Sequence, residues 1–150
     1  MIRPVRLRHL LAVRDWPVVL RSAVLVVVVE VGLRVTTLPR LATLVGAPLR
    51  LDDGVDVMAP ATVVPLSARE LRVLAVSEGV VRRWPFGDTC LRRALVGGHV
   101  LRRRQPGLRV GIAKVDGRIQ AHAWLEIDGV SLDPAGAAAY RTFEAMGGTR

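Results

Sequence analysis

Cys90 is the only cysteine of the chain, and it stands where a helix should begin, in Trp84-Pro85-Phe86-Gly87-Asp88-Thr89-Cys90-Leu91-Arg92-Arg93-Ala94-Leu95. A thiol in the first turn of a helix faces backbone N–H groups with no partner inside the helix and the positive end of the macrodipole, and both favour thiolate over thiol. The same N–H groups can hold an oxyanion, so one position offers a nucleophile and part of what its tetrahedral intermediate needs. A lone cysteine is also an ordinary small buried hydrophobe, and position alone does not separate the two.

A thiol nucleophile needs a base, and the chain has three histidines. His9 lies in a basic N-terminal segment. His99 follows on the same helix as Cys90, about 13 Å further along its axis, beyond reach of the sulfur. His122 remains, in the alternating run Ala121-His122-Ala123-Trp124-Leu125-Glu126-Ile127. In a strand His122, Trp124 and Glu126 share one face and the aliphatic residues the other, so His122 is a better site residue than core filling. The strand expected to pair with it offers Ser131 and Asp133 to orient the ring, with Asp133 the better acceptor. Asp133 also precedes Pro134, where aspartate is a common turn residue. Glu126 is an alternative orienter, but four residues along the same strand it is poorly placed for the ring.

The elements that must position these groups can be read from periodicity and caps. A helix is expected from about Trp16 to Arg34, with Asp15 as its cap and Pro17 in the first turn. A shorter one starts at Thr37-Leu38-Pro39 and is ended by Gly46 and Pro48. Leu51 to Pro65 reads as a linker, which divides an N-terminal helical extension (1–60) from a main domain (61–150). Ser67-Ala68-Arg69-Glu70 has capping-box spacing and opens a helix from about Ala68 to Arg83. Trp84-Pro85 breaks it, Asp88 or Thr89 caps the next, and Gln105-Pro106-Gly107 stops that one near Arg104. Gly97-Gly98 in its middle predicts a close neighbour. Beyond Gly107 the period becomes two, and Asp116-Gly117 and Asp128-Gly129 are hairpin signals that predict a three-stranded antiparallel meander. The glycine-rich end, Gly147-Gly148-Thr149-Arg150, is expected to fray. The fold class is α+β.

One domain, with or without an extension, fits 150 residues. With 51% hydrophobic residues but only 4% aromatic, valine, leucine and alanine must supply the burial. One cysteine excludes an intrachain disulfide and a cysteine-rich zinc site, and without a secretory signal the chain reads as cytoplasmic. The apolar run Ala23 to Val29 lies between charges too close together to span a bilayer. A helix packed on protein is the simpler reading, and contact with a membrane surface is the alternative. Of the 22 basic residues all but Lys114 are arginine, and the net charge is +9. That charge would bind phosphates non-specifically, but the arginines are scattered and few aromatics accompany them, so a nucleic-acid-binding module is a rival reading and not the preferred one. No phosphate-cradling glycine loop is present, and thiol chemistry requires neither metal nor organic cofactor.

Cys-Leu-Arg-Arg-Ala-Leu-Val opening a helix, Leu-Arg-Val-Gly-Ile as a strand and His-Ala-Trp-Leu-Glu-Ile-Asp-Gly together resemble the transglutaminase-like leader peptidases of lasso-peptide biosynthesis, the family of the microcin J25-processing B protein. The resemblance runs from roughly Val64 to Tyr140. The N-terminal part, with an apolar helix and Leu38-Pro39-Arg40-Leu41-Ala42, is similar in composition to the stand-alone form of this family. The resemblance implies a papain-like or transglutaminase-like core, a helix carrying Cys90 packed on a small antiparallel sheet, and a triad of Cys90, His122 and Asp133. Asp133-Pro134-Ala135-Gly136 departs from the usual pattern around the third member. The implied reaction is removal of the leader from a ribosomally made precursor peptide, usually just after a Thr-Xaa pair, before a separate cyclase closes the macrolactam. The implied partners are that precursor and a small leader-binding protein, since no leader-binding domain is recognisable in this chain. A catalytically inactive scaffold of the same fold is the alternative within the family.

Overall fold

The computed structural model describes residues 15–50, 64–115, 118–133 and 141–142. The segments 1–14 and 51–63, the expected turn residues Asp116 and Gly117, and the glycine-rich end lie outside the described residues.

Among the described residues, four α-helices and a four-stranded sheet follow in chain order: α1 (Trp16–Val35), α2 (Leu38–Val45), α3 (Ala68–Val81), α4 (Cys90–Val100), then β1 (Gly107–Val115), β2 (Arg118–Ile127), β3 (Val130–Ser131) and β4 (Arg141–Thr142). The architecture is α+β.

α1 is apolar on every face, yet only one side of it is covered. Ser22, Val26, Val29 and Glu30 are buried, while Leu20, Val24, Val27, Val28, Val31 and Val35 on the other side are exposed. The covered side meets α3 through a buried contact between Ser22 Oγ and Ser77 Oγ, 2.9 Å apart. Asp15 does not cap α1 with its side chain. Its carboxylate is instead taken by Arg72 of α3 at 2.5 Å, since an arginine within reach offers a charge-assisted bond.

α2 ends as its residues require: Gly46 takes the left-handed conformation (φ 84°), and the N–H of Ala47 returns to the carbonyl of Ala42. The chain then runs beside the start of β1, with Leu108 N–H donating to Pro48 O and Arg50 N–H to Leu108 O, both at 2.9 Å. α3 carries the full capping box, Ser67 Oγ accepting from the Glu70 N–H and the Glu70 carboxylate accepting from the Ser67 N–H. The same carboxylate holds Arg104 with two bonds of 2.9 and 3.0 Å, which ties the start of α3 to the end of the α4 segment.

α4 is capped by Thr89, whose Oγ1 accepts from the Arg92 N–H. It stops at Val100, earlier than its pattern suggests, because Arg102–Arg104 tighten into a 3-10 turn. Gln105 then turns left-handed (φ 51°) ahead of Pro106. The glycine pair of α4 lies where its close neighbours are: a Cβ on Gly98 would stand 2.4 Å from Ala47 Cβ, and one on Gly97 would stand 3.3 Å from Leu125 Cδ1.

The sheet order is β3-β2-β1-β4 with antiparallel pairing throughout. The meander is therefore joined by a fourth strand, β4, on the far edge of β1. Two residues are too short to leave a periodic signal, so the sequence alone gives no sign of it. Asp128 (φ 51°) and Gly129 (φ 77°) both have positive φ, as a two-residue type I′ hairpin demands. One core joins all these layers, from Val26 and Val29 of α1 and Leu41 and Val45 of α2 through Leu95 of α4 to Leu108, Ala123 and Leu125 of the sheet.

Candidate active site

Cys90 is the first residue of α4, half-buried and packed against the core. Two arginines follow within its first turn, and both are matched. Arg93 is paired with Asp88, one residue before the cap. Arg92 reaches across to Glu30 of α1, with its Nε 2.8 Å from Oε2 and a second nitrogen 3.3 Å from Oε1. That guanidinium, aided by Arg34 at 2.7 Å, holds the Glu30 carboxyl below its ordinary range although burial pushes the other way. Both arginines that follow the thiol are thus matched by carboxylates.

His122 and Asp133 are brought together, with Nε2 2.8 Å from Oδ2. The register explains the contact. β2 pairs with β3 at Glu126↔Ser131, and the Leu132 N–H donates to Leu125 O at 2.9 Å, which extends the ladder by one residue. Asp133 then stands across from Trp124, and His122 is its diagonal neighbour on the same face. The Asp133 N–H donates to Ser131 Oγ at 3.0 Å, so the serine fixes the backbone that carries the carboxylate. A neutral ring donating its Nε2 proton to a carboxylate has its lone pair on Nδ1, which makes Nδ1 the basic nitrogen.

Cys90 is not joined to this pair. Alternation along β2 turns His122 away from the face on which the body of α4 lies, where Gly97 and Gly98 pack over Leu125, and no hydrogen bond links Cys90 Sγ to the imidazole. His99 is occupied elsewhere: Nδ1 lies 3.3 Å from Val45 O and Nε2 3.1 Å from a nitrogen of Arg102. Burial first, and then Arg102, lower its pKa, so it is a neutral structural clamp between α4 and α2. His9 lies outside the described residues.

Three more residues on the His122 face were not singled out as a unit by sequence. Arg109 of β1, only 4% exposed, donates Nε to Glu126 Oε2 at 2.8 Å. Trp124, also 4% exposed, donates Nε1–H to Glu126 Oε1 at 3.1 Å. The indole lies beside the His122 ring with centroids 6.0 Å apart and planes 19° from parallel. The sequence signal was an arginine between Leu108 and Val110 in a strand whose register sets it opposite Trp124.

Among the described residues no group of three His, Cys, Asp or Glu side chains could hold a metal, and no helix is long and apolar enough to cross a membrane. No curated protein matches the chain, and neither does any solved structure. One family model does, that of the Transglutaminase-like superfamily, over residues 25–146. That span contains Cys90, the whole of β2 and Asp133, and the chain belongs to the transglutaminase-like superfamily.

Proposed function

We propose that this protein is a cysteine peptidase that cuts the leader from a ribosomally made lasso-peptide precursor, with Cys90 as nucleophile, His122 as base and Asp133 as the residue that orients the imidazole. The transglutaminase-like domain is a fold of the cysteine-protease kind. The observation that carries the finer reading is the His122–Asp133 pair at 2.8 Å, in a chain whose single cysteine opens the helix packed on the same sheet. In the reaction His122 Nδ1 takes the thiol proton and Cys90 Sγ bonds to the scissile carbonyl carbon, whose oxygen becomes an oxyanion held by N–H groups at the α4 terminus. The proton passes to the leaving amine as the peptide bond breaks, and water then hydrolyses the thioester. The attack requires sulfur and Nδ1 to come within hydrogen-bond distance, and because the body of α4 lies on the other face of β2 this takes a movement of the α4 start relative to the strand when substrate is bound.

A small leader-binding protein delivers the precursor in this reading, and a separate cyclase consumes the freed core in a reducing, cytoplasmic setting. The delivering protein docks on the N-terminal helices, and what supports this is the exposed apolar side of α1. The missing bond between Cys90 and His122 is also what an inactive scaffold of this fold would show. Incubating the chain with its cognate precursor and leader-binding protein, and following peptide mass, separates the two. Wild type should release the core peptide while Cys90→Ala and His122→Ala release none. Cleavage that survives Cys90→Ala overturns the thiol mechanism, and a folded wild type that cleaves nothing favours the scaffold.

A further inference from the structure

Phe86 stands 55% exposed on the turn that leads into α4. The turn is closed by the Gly87 N–H donating to Trp84 O at 3.2 Å, and Cys90 follows four residues after Phe86. A single exposed apolar side chain is ordinary on a protein surface. This one differs because its pose is set. The Arg34 guanidinium lies over the ring with its Cζ 4.8 Å from the centroid, close enough for the cation to be drawn to the π face. The Trp84 ring, packed on the core, meets the phenyl at 6.1 Å and 58°. Arg34 is fixed in turn by Glu30 at 2.7 Å, and that buried carboxylate also takes Arg92 from the first turn of α4. One carboxylate therefore references both the cation over the ring and the turn that bears the thiol.

The location of the ring is as informative as its pose. The exposed apolar side of α1 runs through Val27 and Val31 to Val35, and Arg34, three residues from Val31, borders it. Beyond Arg34 comes Phe86, and beyond Phe86 the bare backbone of Gly87, where an added Cβ would meet nothing within 4 Å. The start of α4 follows. A precursor held by a protein docked on α1 reaches Cys90 from this side, so the segment joining the held leader to the scissile bond crosses the turn at Phe86.

We infer that Phe86 is a specificity-determining residue, whose ring receives an apolar side chain of the precursor on the leader side of the cut. This rests on the peptidase reading and on the place of the delivering protein on α1. A ring held by Arg34 and Trp84 before the peptide arrives loses little freedom on contact, so the apolar area it covers goes into affinity. The contact lies on the approach and away from the reacting atoms, so it is equal in the bound state and the transition state. Its loss belongs in KM and not in kcat.

The test uses the full chain with its cognate precursor and leader-binding protein. Phe86→Ala should raise KM about tenfold with kcat within about twofold of wild type, and Phe86→Leu should recover most of the loss. Phe86→Gln, of similar length but without an apolar face, should match Phe86→Ala and carries the test if that variant does not fold. Alanine substitutions through the last residues of the leader should include one apolar position that raises KM about tenfold in wild type and has little further effect in Phe86→Ala. Capture is read separately in Cys90→Ala, by the anisotropy of precursor labelled at the end of its core and already bound to the leader-binding protein. Adding Phe86→Ala should weaken capture about tenfold, while the leader-binding protein without precursor should bind both chains equally. A folded Phe86→Ala whose KM and capture match those with Phe86 overturns the inference, and so does an equal loss with the leader-binding protein alone. Should wild type cleave no precursor, the peptidase reading fails while the capture measurement still decides this one.

Discussion

His122 and Asp133 show how far a residue's meaning depends on its register. Their contact was legible in the sequence because a two-residue Asp-Gly turn leaves little freedom: once Ile127 and Val130 pair, Asp133 must fall on the His122 face. The Arg109–Glu126 pair was not legible in the same way, because a charged residue in each of two strands does not reveal that both are buried and bonded. Nor was the gap between Cys90 and the imidazole, since a helix that packs on a strand can lie on either face of it. At this scale Asp133 should matter to rate more than to fold. It is half exposed, so Asp133→Ala is expected to leave the thermal midpoint near wild type. It should lower kcat by on the order of 10- to 100-fold, a part of the 10²–10⁴ that a positioned base supplies. Asp133→Glu should recover some of that loss, and steady-state cleavage by the three proteins checks both statements.

Among the elements, α4 is the one whose placement decides everything else. Its cap, its start at Cys90 and the glycine pair in its middle were all readable from residue types, and the structure gives each a cause. Thr89 satisfies an orphan N–H, and Gly98 admits the Ala47 side chain. Its end was not readable, because three arginines after Leu101 suit a continued helix as well as the 3-10 turn they form, and Arg104 is drawn to Glu70. Gly98→Ala would improve helix propensity by up to about 1 kcal/mol, yet the new methyl would stand 2.4 Å from Ala47 Cβ, well inside contact distance. The clash should win, with a net destabilisation of about 1–3 kcal/mol typical of overpacking, measured by urea unfolding. Thr89→Ala should cost about 1 kcal/mol by the same measurement, through loss of the cap.

The whole molecule is held across its layers by charges as well as by its aliphatic core. Glu30 joins α1 to α4, Glu70 joins α3 to the turn after α4, and Asp15 joins the start of α1 to α3. The Arg104 guanidinium and the Ser67 cap bring Glu70 down to about 2, and Glu30 and Asp88 are lowered by their arginines. A carboxyl whose folded pKa is depressed binds its proton more readily when unfolded, so its stabilisation is complete above about 4.5 and is lost as pH falls towards about 2. His99 works in the same direction from a higher start. Burial keeps it neutral in the fold, so the unfolded chain takes up the proton first, and stability begins to fall as pH drops below about 6.5. Urea midpoints should therefore decline from pH 7 to pH 3 in two stages, and His99→Gln should remove the upper one. Composition made clear that valine and leucine would do the burying, but an α1 apolar all round could not reveal which side would be covered.

The turn at Asp128 and Gly129 has a consequence for how such a chain can change over generations. Loops usually tolerate insertions, but one residue added between Val130 and Asp133, with the turn pairing kept, would reverse the pleat and send the carboxylate to the opposite side of the sheet from His122. The composition, the His-Ala-Trp run and the helix bearing Cys90 would all be untouched. What descent has to preserve here is a parity, an even count of residues from His122 around the turn, which no inspection of individual side chains would reveal.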